Sequence, residues 1–238
     1  MVVGDGMIAR AFSGFRDRND VVIFASGVSN SNAANPDAYQ RETDLLTQFL
    51  GQSGTFVYFS TVSIHYPCLQ ESLYVRHKLH IEQMIRERCE QFLIFRLPNL
   101  VGQTRNPHTL TNFLYSHIAS GSPFEVHLNA SRYLLDTEHM VRLCKYILAQ
   151  MPSRMIYEIV FNNSAPILKI VQDMERVLNK TGNYILVEKG CHIDIPSIDP
   201  QLIARSGLQI PSMELYNQMV LQKYYSRQVQ ETPPETTL

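Results

Sequence analysis

Val2-Val3-Gly4-Asp5-Gly6-Met7-Ile8-Ala9-Arg10 stands near the start of the chain, and its reading decides the fold. Two β-branched residues run into a Gly-x-Gly-x-x-Ala turn, and a helical stretch follows to about residue 15. Gly4 permits a tight turn, Gly6 lets the backbone approach a pyrophosphate, and the small Ala9 lets helix and strand pack closely. A helix N-terminus offers free N–H groups and the positive end of its dipole to phosphates. Glycine-rich turns are ordinary in α/β proteins, so it is the strand–turn–helix context that carries the nucleotide-binding reading.

Outward from that turn, the pattern alternates. Asp20-Val21-Val22-Ile23-Phe24-Ala25 is a continuous β-branched run, as expected of a strand buried on both faces. Residues 26–35 are small and polar, a loop. Residues 36–50 have helical spacing, with Leu45, Leu46, Phe49 and Leu50 on one stripe. Phe56-Val57-Tyr58-Phe59-Ser60-Thr61 is a third strand ending in hydroxyls, 73–89 a helix, and Phe92-Leu93-Ile94-Phe95-Arg96 a fourth strand. Helices are expected over 110–120 and 166–179, and strands over 124–128, 156–161 and 184–187. A strand-like start at Leu134 leads into a helix that reaches 151. Strands alternating with helices predict an α/β fold: a Rossmann-like, doubly wound parallel sheet of reduced strand number, with a small C-terminal α+β substrate domain. The expected division is a dinucleotide-binding core over 1–103, a substrate-binding region with returning core elements over 104–227, and a polar, disordered tail over 228–238.

Composition narrows the function. The chain has 238 residues, 45% hydrophobic and 18% charged, with a formal net charge of -1, so no global field draws it to nucleic acid or an anionic membrane. No apolar run approaches the ~20 residues of a membrane span. The basic-then-apolar layout of a signal peptide is missing, which predicts a cytoplasmic protein. Cys68, Cys89, Cys144 and Cys191 are scattered without a C-x-x-C pair, which predicts reduced thiols and no zinc site. The histidines have no metal-ligand spacing, so no metal is expected.

Chemistry enters at Tyr74-Val75-Arg76-His77-Lys78. A phenol and an ammonium four residues apart share a helix face, ~5–6 Å apart at Cβ. A nearby ammonium favours phenolate and lowers a pKa that starts near ~10. Such a tyrosine can exchange a proton with a sugar hydroxyl or ketone. Thr61, at the carboxyl end of its strand, is placed to hold the reacting oxygen, and Ser63 is a second hydroxyl for that role; open α/β sheets bind ligands at that edge. The spacing alone is common in helices. The order of glycine turn, strand ending in Ser-Thr and Tyr-x-x-x-Lys is what raises its weight.

Over nearly its whole length the chain resembles the extended short-chain dehydrogenase/reductase family, the nucleotide-sugar epimerases, dehydratases and ketoreductases. Gly4, Gly6 and Ala9 match the family's glycine motif, Phe24-Ala25-Ser26-Gly27 its strand and loop over the cofactor, and Phe59-Ser60-Thr61 the strand with its catalytic hydroxyl. Tyr74 and Lys78 match its Tyr-x-x-x-Lys. Arg96-Leu97-Pro98-Asn99-Leu100-Val101-Gly102 looks like the segment lining the nicotinamide and substrate pocket, and Ser131-Arg132-Tyr133-Leu134-Leu135 like the stretch whose arginine grips a nucleotide diphosphate. The resemblance implies NAD or NADP held by Gly4, Gly6, Met7, Ile8, Ala25, Ser26, Gly27, Tyr74, Lys78 and Pro98. It implies Thr61, Tyr74 and Lys78 as the catalytic group, with Ser63, Asn99 and Arg132 toward the substrate. A homodimer through the helices that carry Leu45/Leu46/Phe49 and Leu79/Ile85 is also expected from it.

The departures matter as much. The stretch between the first helix and Asp20 is too short for a usual second strand, so the acidic residue expected ~20 positions beyond the glycines is missing, and NAD cannot be told from NADP. Arg10, Arg16 and Arg18 lie near enough to meet a ribose phosphate, though solvated helix-end arginines are the plainer reading of the last two. Glu42-Thr43 stands where the family often has Asn, and Val62-Ser63 replaces the Asp-Glu of the dehydratases, which argues against dehydration. His77 and His80 read as exposed helix histidines, and His65 as a lesser candidate for touching substrate. The resulting expectation is an NAD(P)-dependent ketoreductase or epimerase of a nucleotide-activated sugar in polysaccharide biosynthesis. The rival is a non-catalytic dinucleotide- or partner-binding module of the same fold.

Overall fold

The structure is a computed structural model, and it describes residues 1–31 and 35–226. The tail expected to be disordered lies outside the described residues. In chain order the regular elements are β1 (Val2–Val3), α1 (Met7–Ala11), β2 (Val21–Phe24), α2 (Pro36–Thr47), β3 (Thr55–Thr61), α3 (Leu73–Arg88), β4 (Gln91–Leu97), β5 (Asn99–Val101), α4 (Leu110–Ser120), β6 (Phe124–His127), β7 (Ser131–Arg132), β8 (Leu134–Asp136), α5 (Thr137–Ala149), β9 (Met155–Glu158), β10 (Ala165–Pro166), α6 (Ile167–Leu178), β11 (Tyr184–Val187), α7 (Pro200–Arg205) and α8 (Met213–Tyr225).

Five strands form one parallel sheet in the order β1-β2-β3-β4-β9. This is the expected doubly wound α/β architecture with a reduced strand count. Val2 and Val3 pair with Ile23 and Phe24, so β1 is the outer strand of the described sheet. The last strand, β9, comes from the C-terminal half and pairs with β4, so the two halves share one sheet. Both sheet faces are covered, which is why β2 and β3 are buried at every position and read as unbroken apolar runs. Successive side chains alternate between the faces. Val22, Phe24, Phe56, Tyr58 and Ile94 meet Leu46 of α2 and Ile81 and Ile85 of α3. Ile23, Val57, Phe59, Leu93 and Phe95 face the larger core with Met140 and Leu143 of α5. Leu46, Ile81 and Ile85 are fully buried, each contributing about 1.5–3 kcal/mol. Of the residues expected at a dimer interface, Leu46 and Ile85 therefore belong to the core, while Leu79 is exposed.

Helix starts follow their capping residues. Asn35 accepts the Asp37 N–H at 2.9 Å, with Pro36 at the first helical position of α2. Ser72 accepts the Val75 N–H at 3.2 Å and so fixes where α3 begins, one residue before Leu73 and two before Tyr74.

Cys68 and Cys191, 123 residues apart, form a disulfide, so the expectation of four reduced thiols is corrected; Cys89 and Cys144 are free and buried. Spacing could not show this pair, because the two cysteines meet only after the C-terminal segment folds back over the turn that follows β3. No helix among the described residues is long and apolar enough to cross a membrane.

Candidate functional site

The glycine turn occupies the amino end of α1. Gly4 has φ +116°, and a Cβ there would lie 2.7 Å from the Ala25 carbonyl oxygen, so only glycine fits against the β2 loop. Around Gly6 a Cβ would meet nothing within 4 Å, and no side chain caps the helix it begins. The turn is thus packed on one side and open on the other. Arg10 donates to the Asp5 carbonyl at 2.9 Å, Arg16 is exposed, and Arg18 pairs with Asp20.

The same β2 loop reaches the Tyr-x-x-x-Lys helix. A Cβ on Gly27 would sit 2.8 Å from Lys78 Nζ and 3.1 Å from Glu42 Oε1. Residues 25–28 therefore bridge the glycine turn and Lys78. Tyr74 and Lys78 share a face of α3, with Lys78 Nζ 5.8 Å from the Tyr74 ring centre. Tyr74 is half-buried, whereas Lys78 is 2% exposed.

Lys78 is engaged. Its Nζ donates to Glu42 Oε1 at 3.1 Å and to the Tyr58 hydroxyl at 2.8 Å. Glu42, fully buried on α2, also accepts from the Val28 N–H at 2.6 Å and the Tyr58 hydroxyl at 2.7 Å, and pairs with His77 Nε2 at 3.0 Å. Burial pushes the Glu42 carboxyl up, but the Lys78 ammonium and these donors outweigh it and hold the group well below the usual carboxylate range. Burial, then Glu42, push the Tyr58 phenol well above its ordinary value. His77 is correspondingly not a surface histidine: its side chain is 8% exposed and committed to Glu42. His80 is exposed, as expected.

Thr61 ends β3 and is 5% exposed. Its Oγ1 accepts the Ser63 N–H at 3.0 Å, the cap of a short 3-10 turn over Val62–His65. Ser63 and Pro98 are half-buried. Asn99 is half-buried, and its side-chain amide donates to the Tyr133 carbonyl at 3.2 Å. Arg132 stacks over the Tyr66 ring at 4.7 Å and donates to the Ser131 carbonyl at 2.7 Å. Met7 and Ile8 are half-buried at the start of α1. A Cβ on Gly102 would fall 2.8 Å from Met7 Sδ and 2.2 Å from Thr137 Oγ1, so the end of β5 closes directly on the glycine turn.

Beside this group lies a second polar cluster that sequence reasoning missed. Arg96 grips Glu82 through Nε at 2.9 Å and Nη2 at 2.7 Å, and reaches Glu158 Oε1 through Nη1 at 2.8 Å. Ser60 donates to Glu82 at 2.6 Å, and His65 Nε2 meets Glu158 Oε1 at 2.9 Å. Burial raises Glu82, but Arg96 and Ser60 outweigh it and hold the carboxyl low. The register signal was present but needed the sheet order: Ser60 pairs with Arg96 and Arg96 with Glu158, which puts three polar side chains on one face.

No protein-family model matches the chain, and no curated protein sequence matches it either. Solved structures do. A UDP-galactose 4-epimerase superposes with a TM-score of 0.68 at 16% identity, covering 89% of this chain and 78% of that one. The chain has the fold of the nucleotide-sugar epimerases. The UDP-glucuronic acid 4-epimerase of Bacillus cereus, in complex with UDP-glucuronic acid and NAD, shares this epimerase fold with a TM-score of 0.64 at 14% identity, over 90% of this chain and 79% of its own. RMD of Pseudomonas aeruginosa, complexed with NADPH, gives 0.63 at 15% identity, over 87% and 82%.

Proposed function

We propose that this chain is an NAD(P)-dependent ketoreductase or epimerase of a nucleotide-activated sugar. The observation that carries the reading is the continuity of the 25–28 loop, which touches the glycine turn at Gly4 and Lys78 at Gly27. One dinucleotide laid along that loop would meet the open side of Gly6 with its pyrophosphate and the Tyr74 helix with its nicotinamide end. The residues present fit that half of a cofactor. When bound, the nicotinamide supplies or accepts the hydride.

The chain's own groups do the rest. Thr61 donates its hydroxyl to the reacting oxygen. Tyr74 gives that oxygen a proton in reduction, or takes one in oxidation. Lys78, beneath Gly27 and beside the Tyr74 ring, forms the floor of the site through its pair with Glu42. Arg132, backed by Tyr66, has the planar fork that suits a diphosphate. Tyr74→Phe is expected to lower turnover at least ~100-fold while folding and calorimetric binding of NAD(H) or NADP(H) persist. Undiminished turnover in that variant ends the assignment.

A second reading is a non-catalytic dinucleotide-binding or partner-binding module of the same fold. Two observations favour it: Lys78 is nearly sealed and paired with Glu42, and β1 has no further strand beside it in the described sheet. Calorimetry with all four nicotinamide dinucleotides separates the readings, because heat from none of them removes the enzyme.

A further inference from the structure

His65 carries chemistry that the proposed mechanism leaves unused. It closes the 3-10 turn that begins after Thr61, two residues beyond Ser63. Its ring pairs with the last residue of β9, Glu158. The ring therefore lies over the carboxyl ends of neighbouring strands, the edge at which open α/β sheets bind ligands. Its side chain is 33% exposed, so one side faces solvent-accessible space.

The ring is oriented. An ionised carboxylate only accepts, so Nε2 donates to Glu158 Oε1 and Nδ1 is left as the basic nitrogen. Glu158 is itself held by Arg96, which donates twice to Glu82, and Glu82 in turn accepts from Ser60. The second carboxylate oxygen, Oε2, is buried with no hydrogen-bond partner. Within the cluster two carboxylates face one well-buried guanidinium; Arg86, the other cation at Glu82, is 45% exposed. A half-buried base with one open side, an orienting carboxylate and a fixed scaffold form the arrangement of a general base with its orienter.

We propose that His65 is a second acid/base residue of the candidate site, and that it moves a proton at the carbon next to the substrate ketone. The inference rests on the reading of the preceding subsection for the substrate class. In the step, the C–H bond beside the carbonyl breaks and its proton goes to His65 Nδ1. The electron pair forms the C=C bond of an enolate, whose charge rests on the carbonyl oxygen beside Thr61 and Tyr74. A solvent water then protonates the opposite face of the enolate while His65 gives its proton to solvent, and the carbon is inverted. No oxidant is consumed. Glu158 is a positioning residue. The expected activity is therefore epimerisation through enolisation, with or without a later reduction.

The test uses the full chain and UDP-4-keto-6-deoxyglucose in deuterium oxide, with proton NMR following deuterium entry at the two carbons that flank the ketone. The wild-type chain is expected to catalyse exchange. His65→Gln should lower the rate at least ~100-fold without changing the melting temperature. Added imidazole should restore exchange to His65→Ala, which a merely structural role of His65 would not allow. Glu158→Asp should retain more exchange than Glu158→Gln. Exchange at the uncatalysed rate in the wild type, or undiminished exchange in His65→Gln, overturns the proposal. If exchange is missing but the chain still reduces the same ketone with NADH or NADPH in a Tyr74-dependent way, the role of His65 falls and the ketoreductase reading stands. If both are missing, both fall.

Discussion

Replacing Glu42 by Gln keeps the shape of the side chain and removes one charge. In the folded chain that leaves the Lys78 ammonium 2% exposed with the Tyr58 hydroxyl as its remaining strong partner. Breaking a buried ion pair from one side destabilises by about 3–5 kcal/mol, since the remaining charge is uncompensated. Against a whole-domain stability of about 5–15 kcal/mol this is large. At ~2–4 °C per kcal/mol for a chain of this size, the melting temperature should fall by roughly 6–20 °C. Lys78→Met alone should hurt less, because Glu42 keeps His77, Tyr58 and the Val28 N–H. The double variant Glu42→Gln/Lys78→Met should recover part of the loss. The assay is urea unfolding followed by circular dichroism, arranged as a double-mutant cycle. The pH dependence has a definite sign. The folded Glu42 carboxyl titrates below its unfolded value near ~4.3, so its contribution is fully present above that value and is lost as pH falls through and below it. Wild-type stability should therefore decline on acidification more steeply than that of the double variant. Single-variant effects that add within ~0.5 kcal/mol would refute the coupling and with it the claim that Glu42 holds Lys78.

Two further outcomes concern the scaffold. Gly4→Ala places a Cβ against the Ala25 carbonyl at positive φ, and should cost about 1–3 kcal/mol in urea unfolding; an unchanged midpoint would show that the turn relaxes freely. Denatured, unreduced protein should take up an alkylating agent at Cys89 and Cys144 alone, and Cys68→Ser should lose about 2–4 kcal/mol, since the bond closes a loop of more than a hundred residues. Mass spectrometry showing four alkylated cysteines without reductant would remove the disulfide.

The regular elements were legible where the signal is local. Runs such as Val21–Phe24 and Thr55–Thr61 announce strands buried on both faces, and the helix expected over 110–120 is α4, which the structure caps with Thr109 and Gly121. Helix α8 was not legible. Tyr216, Val220 and Leu221 are buried while Leu215 and Met219 are exposed, so apolar residues surround the helix and no polar face marks its period. In the site, the four-residue step from Tyr74 to Lys78 placed both on one face of α3. It could not reveal that Lys78 turns inward, because its partner Glu42 lies 36 residues away on α2.

By itself the sequence determined the alternation of strands and helices from β1 to β4, the glycine turn and the helix carrying Tyr74, because periods of 2 and 3.6 residues act within a single element. Tertiary structure alone decided that Glu42 seals Lys78, that His65 meets Glu158 across 93 residues, and that Cys68 finds Cys191. Those contacts depend on which strands become neighbours in the sheet, and neighbourhood comes from the burial of both sheet faces at once rather than from any one stretch of chain.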